Sequence, residues 1–470
     1  MSNTPQTKKG LGTFDFFCVG FGAIVGVGWA VSLNKWMASA GGPIPAALGY
    51  LITLVLMVPV GLCFAELVPM LPVAGGTTAF TYRAFGEKAS YVAGWLTLGA
   101  FLTLMPWEAI YVVDIASILF PALKAGAPLY VLAGSDIYLG HIVVGTIIAL
   151  FFFYINYKGA DLAAGLQKVL CIFLIGVGVL SMVCGLVKFD INNLMPVYEN
   201  IGTSAHNSMF GGILAILASA PFFLAGFETI PQGIEDAGGD VASVGKTVVL
   251  SVVLACVFYA ILLFCFGYAW KWQEFAHMSN PSAATMFKSL YPGAVGGVLY
   301  WLITLGAIAG LFTTWNGFFM ASASLLMAMG RGNLVPGVFA KQNKNGIPVP
   351  GLLVCLLLSL IGPFLGAGLI GSITSFSLIR LRKIAPDMER PYKIPGGVAM
   401  GGFSALITTV VFILLFVPNN PVYMGKTASI MFVGWMVIGF ILYAISGVQR
   451  KAISKADREA AMFGHATHED

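Results

Sequence analysis

Two stretches of this chain combine residue types that are costly inside an apolar helix. In Gly20-Phe-Gly-Ala-Ile-Val-Gly-Val-Gly28, four glycines fall within nine residues of an apolar run that extends from Phe14 to about Val31. Each costs about 1 kcal/mol relative to alanine in a helix interior, so this is where the run unwinds most cheaply. Backbone freed within a bilayer persists only when it is packed in protein or lines a wet cavity. Its open N–H and C=O groups then offer donors for an anionic group of a small ligand and acceptors for a cationic one. Gly22 and Gly26 also have the small-residue spacing that lets membrane helices approach, so glycine content alone does not separate a binding break from a packing face. Ser219-Ala-Pro-Phe-Phe-Leu-Ala-Gly-Phe-Glu228 repeats the pattern, with Pro221 and Gly226 as breakers and a carboxylate soon after them.

Carboxylates within apolar runs are functional candidates because ionised groups are expensive in hydrocarbon. Glu66, Glu108, Asp114 and Glu228 are placed this way. Glu66 lies near the end of its run, within reach of Arg83 or a loop donor, and Asp114 is close enough to the other face to reach water. Glu108, after Pro106-Trp107 near the centre of the third run, has neither escape. It is expected to face the protein interior, lining a ligand cavity or pairing with another helix. Glu228 sits among Phe222, Phe223 and Phe227, where lost solvation opposes ionisation, and reads either as a proton-responsive group or as a fixed hydrogen-bonding tie. Catalysis finds no comparable constellation. There is no His-Glu-x-x-His, Gly-x-Ser-x-Gly or Walker loop, and among the histidines only His141 could lie inside a run. The seven cysteines all fall in apolar runs without Cys-x-x-Cys spacing, which points to buried free thiols and to no metal or other cofactor.

The elements that must position these groups follow from composition. Of 470 residues, 58% are hydrophobic and only 10% charged, with a mean hydropathy of +0.88, against roughly 25% charged in a globular domain. The chain is therefore an all-helical polytopic membrane protein with the lipid bilayer as its solvent. Its net charge of +5 is small and unevenly placed, which argues for membrane orientation and against nucleic acid binding. A crossing needs about 20 apolar residues, which places spans at roughly 14–37, 43–70, 90–120, 138–156, 164–187, 209–234, 245–270 and 294–329, with further runs at 351–379, 401–418 and 427–447. Lys8/Lys9, Arg83/Lys88, Lys158, Lys246, Arg331/Lys341/Lys344, Arg380 to Lys393 and Arg450 to Arg458 then share one side. By the positive-inside rule that side is the cytoplasm, with both termini on it, and the membrane is the cytoplasmic (inner) one. The run after Met1 to Gly12 lacks a small-residue cleavage site, so no signal peptide is expected to be removed.

Residues 351–379 strain this scheme. Arg380 must return to the side that Gly351 leaves, yet two spans and a turn need about 40 residues and the segment is shorter. A short, tilted or re-entrant hairpin is expected; a single crossing with the Arg380 segment outside is the other solution. Interrupted spans in first and sixth place suggest two inverted repeats of five helices, at about 14–187 and 209–380, with appended helices at 401–447. Together they form one transmembrane domain over 1–450, and 451–470 is a tail. Such repeats place a binding site at the bilayer midplane, where half-helix N-termini face an anionic group and open carbonyls a cation.

Several motifs resemble those of the amino acid, polyamine and organocation transporters. Gly22-Ala-Ile-Val-Gly-Val-Gly28 is similar to the glycine-rich first-helix break, with Val27 where relatives often have Ser or Thr. Ala65-Glu-Leu-Val-Pro-Met-Leu-Pro-Val-Ala-Gly-Gly76 with Tyr82 and Phe85-Gly86 resembles the second-helix exit and first loop. Phe223-Leu-Ala-Gly-Phe-Glu228 resembles the sixth-helix break, Met327 to Pro336 with Ile347-Pro-Val-Pro350 the end of the eighth helix and its loop, and Arg390-Pro-Tyr-Lys-Ile-Pro-Gly-Gly397 the loop before the eleventh. The resemblance covers nearly the whole chain and departs from the family between Leu365 and Arg380, where a complete tenth helix is usual.

What the resemblance implies is a LeuT-type fold and a secondary transporter for an amino acid or related amine, working by alternating access with proton coupling or exchange. The substrate carboxylate would meet N–H groups near Val25, Gly26, Val27 and Gly28. Its amino group would meet carbonyls near Ala23 and Ile24 and around Phe222, Phe223 and Ala225. Phe222, Phe223, Phe227, Trp315 and Phe318 are candidate aromatic walls, Glu108 a candidate cavity carboxylate, and Glu228 the proton-coupling candidate. Thr313 and Thr314 could hold sodium, less favoured than a proton, and Leu174 stands where some relatives place an ion-replacing lysine. A non-transporting or degraded permease or a sensor, suggested by the short tenth element, and an integral membrane enzyme are the competing classes.

Overall fold

Long apolar runs leave the backbone no hydrogen-bonding partner but itself, and the chain resolves into helices accordingly. The computed structural model describes residues 10–127, 129–132, 135–202, 207–361, 397–414, 417 and 426–464. The first span is divided into α1 (Thr13–Val25), α2 (Gly28–Val31) and α3 (Leu33–Ala40). α4 (Pro43–Met70) opens on proline, whose missing N–H costs nothing in a first turn. α5 (Thr77–Phe85) and α6 (Glu87–Leu119) follow, then a small antiparallel ribbon of β1 (Tyr130–Leu132) and β2 (Ser135–Ile137) in the connection to α7 (Leu139–Lys158). α8 (Ala160–Val187) completes the first half.

The second half begins with α9 (Met209–Phe223), capped by Ser208, and continues as a 3₁₀ segment, Phe227–Asp236. α10 (Val241–Ala269) is capped by Asp240. The short α11 (Trp272–Ala276) and α12 (Ser282–Leu290) lead to the 38-residue α13 (Ala294–Arg331). α14 (Val349–Ile361), α15 (Gly397–Leu414), α16 (Lys426–Ile445), α17 (Gly447–Ala452) and α18 (Lys455–Phe463) complete the described chain. Among the described residues seven stretches are long and apolar enough to cross a membrane, so the protein is a multi-pass membrane protein. The expected hairpin at 351–379 is described only as far as Ile361; its return leg lies outside the described residues.

Burial identifies the axis of the bundle. The first span, Thr13–Val31, is 89% buried, whereas Phe432–Ala452 is 11% buried and turns Val433, Val437 and Phe440 outward. α1 packs on α8, α10 and α13, and α4 packs along α10. α16 docks on α6 through a stacked pair, Trp95 and Trp435, with centroids 4.2 Å apart, each indole N–H donating to the other's carbonyl.

Of the basic residues expected on one side, Arg331, Arg450 and Arg458 gather near the C-terminal end of α13, where Arg450 donates to the Asn333 carbonyl. Lys168 pairs with Asp15, and Arg331 with Glu235 at 2.6 Å. Glu87 receives Arg450 at 2.9 Å, Arg458 at 2.6 Å and the Tyr443 hydroxyl at 2.5 Å. The tail is more ordered than its polar composition suggests. α18 buries Met462 and Phe463, the latter against the Tyr82 ring. Arg450 is 9% exposed, lies 3.6 Å from the Tyr443 ring and also donates to the Asn333 and Tyr443 carbonyls. Arg450→Met should therefore lower stability by about 2 kcal/mol, near the low end for breaking a buried pair because Glu87 keeps Arg458. A melting temperature equal to wild type in detergent would show that the cluster contributes nothing.

Candidate functional site

The first break is confined to two residues. α1 ends at Val25, Gly26 turns through φ +46°, a conformation that L side chains rarely adopt, and the helix restarts at Gly28. Neither the Val27 nor the Gly28 amide has a backbone hydrogen-bond partner among the described residues, as expected for donors at a helix start. In the sixth span α9 stops at Phe223, the chain turns through Leu224 to Gly226, where φ is +134°, and the 3₁₀ segment begins at Phe227. The Phe223, Leu224 and Ala225 carbonyls accept no backbone hydrogen bond.

Glycine lets the two breaks touch. A Cβ on Gly226 would lie 2.7 Å from the Ala23 carbonyl carbon, and one on Gly310 would lie 2.0 Å from the Gly26 oxygen. Polar side chains hold the remaining backbone. The Tyr259 hydroxyl donates to the Val25 carbonyl at 2.6 Å, and Thr313 Oγ1 lies 2.9 Å from the Gly22 carbonyl and 2.8 Å from that of Gly310. Behind them three buried amides form a chain: Asn156 donates to Asn316, Asn316 to Gln167 and Gln167 to the Thr313 carbonyl, each at 3.0 Å. These bonds tie α1, α7, α8 and α13 together around the first break.

Between the breaks lies a cavity of about 50 Å³. Ala23, Ile24, Val25, Gly26, Val27, Gly28, Glu108, Phe222, Phe223 and Ala225, the ten residues expected to contact a ligand, all line it, with Thr314 and Phe318. Glu108 is 3% exposed, and its Oε2 has no hydrogen-bond partner among the described residues. Phe227 and Trp315 are absent from this lining. The Phe227 ring packs on Phe64, and the Trp315 indole donates to Ser359 inside the core. Glu228 and Thr313 are buried but stand behind the wall: Glu228 Oε2 accepts the Gly226 amide at 2.9 Å and so braces its own break. Thr314 Oγ1 returns to its own helix at the Gly310 carbonyl, 3.0 Å away. Leu174 is fully buried.

Sequence reasoning missed Tyr259, Leu104 and Ser32 in the lining. Tyr259 was detectable, since a phenol midway along an apolar helix needs an acceptor. It also completes an aromatic wall in which Trp36 meets Phe223 at 4.7 Å, Tyr50 at 4.9 Å and Tyr259 at 5.1 Å between centroids.

A sequence model of the amino acid permease family matches residues 11–442, the region that contains both breaks and the cavity. This chain belongs to the amino acid permease family. The permease is 24% identical over 459 residues to the branched-chain amino acid permease BcaP of Bacillus subtilis (strain 168), covering 94% of each chain. It is 25% identical to BcaP of Lactococcus lactis subsp. cremoris (strain MG1363), covering 94% and 95%. It is also 24% identical to an aspartate-proton symporter of Bacillus subtilis (strain 168), covering 87% of this chain and 80% of the symporter. Family and relatives are transporters, which points away from an enzyme. If the glycine contacts set the fold of the site, Gly226→Val should lower the permease's melting temperature markedly. Gly176→Ala, where an added Cβ meets nothing within 4 Å, should leave it equal or slightly higher. Equal melting of Gly226→Val and wild type would refute the close approach.

Proposed function

We propose that the permease carries an amino acid, or a closely related amine, across the cytoplasmic membrane by alternating access. The observation that carries this reading is one cavity lined by Val27 and Gly28, whose amides lack backbone partners among the described residues, and by Phe223 and Ala225, whose carbonyls accept no backbone hydrogen bond there. Helix-start donors suit a carboxylate and bare carbonyls an ammonium, so the two halves of an amino acid's zwitterion would lie across the two breaks. Backbone provides both contacts, which leaves the Val27 side chain free to differ from the hydroxyl residues common in relatives.

In this proposal α1 to α8 form one inverted repeat of the LeuT type, the region from α9 to about residue 380 the second, and α15 and α16 the appended pair. The basic end of the bundle lies in the cytoplasm with both termini. Rocking one set of helices against the other would open the cavity to each side in turn, and the protein-lined breaks keep their backbone covered as it does so. The apolar part of the wall, with Leu104, Ile24, Phe223 and Phe318, suits a neutral side chain, and the names of the two branched-chain permeases support that choice. Glu108 supports a second reading. A buried carboxylate oxygen without a partner favours a ligand bearing an additional amine.

Proton coupling is assigned to Glu228. Protonation would weaken its hold on the Gly226 amide and so loosen the sixth-span break, biasing inward against outward states. Sodium is the weaker choice because Thr313 and Thr314 already serve the backbone carbonyls of Gly22 and Gly310; such back-bonding is the usual use of a hydroxyl on a membrane helix.

A thermal-shift screen of the purified permease against the common amino acids and putrescine should find a ligand that raises its melting temperature, because binding favours the folded state. Gly28→Val should abolish that shift, since its added methyls press on Tyr259 and Phe223 where the carboxylate would lie. Persistence of the shift would remove the site assignment. For coupling, uptake into proteoliposomes should depend on pH in wild type and lose that dependence in Glu228→Gln while ligand binding is retained. Loss of binding at every pH would make Glu228 a brace alone. Glu108→Gln should weaken lysine or putrescine more than leucine, and equal effects on both would rule out the second reading.

A further inference from the structure

A second cavity lies along the same elements, toward the basic end of the bundle. Its volume is about 80 Å³, and its walls include Val19 of α1, Asn156 of α7, Gln232 and Glu235 of the 3₁₀ segment, and Met320 and Ser324 of α13. On α1, Val19 lies one turn from Ala23 of the first cavity; Gln232 follows Ala225 by seven residues, and Ser324 follows Phe318 by six. The two spaces are separated by tight packing at Ala23. A Cβ on Gly317 would sit 3.2 Å from the Ala23 Cβ, and Gly226 presses on the Ala23 carbonyl from the other side. Glu235 of this lining is partly exposed and pairs with Arg331 at 2.6 Å, so the ion pair stands where the cavity approaches solvent.

Gln232 distinguishes this space from a packing defect. Its side chain is fully buried, and neither Nε2 nor Oε1 has a hydrogen-bond partner among the described residues. Among the other amides and hydroxyls in the wall, Asn156 donates to Phe152 and Asn316, Thr229 to Gly226 and Gln342 to Gly346. A buried carboxamide with both ends open is destabilising until something supplies both a donor and an acceptor. The lining contains no lysine or arginine but includes the carboxylates of Glu235 and Asp236, so an isolated anion is disfavoured. A zwitterionic α-amino acid meets both requirements. Its ammonium donates to Gln232 Oε1, its carboxylate accepts from Nε2, and an aliphatic side chain fits among Val19, Met320 and their neighbours.

We propose that this cavity is a release-side subsite, in which Gln232 holds the amino acid after it passes Ala23 and before the Arg331–Glu235 pair opens. The subsite rests on the transport reading above. Its consequence is a second, weaker binding event on a residue outside the first cavity.

Equilibrium dialysis of the full-length permease in nanodiscs with tritiated leucine, serine and lysine tests it, alongside uptake into proteoliposomes. Wild type should bind more than one molecule per chain. Gln232→Leu should lose the weaker event and slow uptake about tenfold, the effect of losing two hydrogen bonds of ordinary net strength, with affinity at the tighter site unchanged. Gly28→Val should do the reverse, keeping the weaker event and losing the tighter one. Gln232→Met, unbranched and of similar length, replaces the leucine variant if that fails to fold, and its ligand-free melting temperature should equal or exceed wild type. Single-site binding by wild type with normal uptake by the Gln232 variants would overturn the subsite and leave the transport reading standing. Loss of tight binding in both Gln232 variants would overturn it in favour of a structural role. Binding of none of the probes by wild type would end both proposals.

Discussion

Every backbone N–H and C=O within a bilayer needs a partner supplied by protein or ligand, and this constraint organises the permease. Two spans violate the simple helical solution, and much of the surrounding structure can be read as compensation. Tyr259 and Thr313 take the carbonyls of α1, Glu228 and Thr229 brace the turn at Gly226, and three buried amides fasten the helices behind. Val27, Gly28, Phe223 and Ala225, whose amides or carbonyls are left open among the described residues, line one cavity. A bilayer tolerates open groups of this kind only in such a place.

The compensation depends on how closely the backbones approach. With lipid as solvent, helix association gains nothing from excluding water, so dispersion and close contact have to hold the bundle together. At Gly226 and Gly310 a single methyl group would overlap the neighbouring backbone. The aromatic wall of Trp36, Tyr50, Phe223 and Tyr259 uses large rings on one side of the site while glycines bring the helices together on the other. That asymmetry leaves a small space between two otherwise tightly packed breaks.

Ion pairs fasten the ends of helices together. Glu87, Arg450, Arg458 and Tyr443 join α6 to the last helices, and Arg331–Glu235 joins α13 to the end of the 3₁₀ segment. The second pair is only partly exposed, where screening is weaker than on a free surface. It ties α13 to the segment that carries Gln232 and Glu235, both of which line the second cavity.

Much of this was legible without coordinates, for physical reasons. Span positions follow from the length of apolar runs, because hydrocarbon thickness sets a ruler that no tertiary contact alters. The two breaks follow from glycine and proline, whose backbone costs are local. Cavity-lining backbone follows from the breaks, and this is why nine of the ten anticipated residues, all but Glu108 of α6, share one cavity. Side-chain direction was not legible in the same way. Phe222 and Phe223 reach the cavity whereas Phe227 and Trp315 turn into the core, and rotation of a helix about its axis is decided by neighbours far away in sequence. Tyr259 belongs to the site because α10 passes α1 at Val25, and Gln232 matters because its position on the 3₁₀ segment leaves both ends of its amide unpaired. Composition set the solvent, the spans and the breaks; tertiary packing decided which side chains face the space between them, because only the assembled helices define that space.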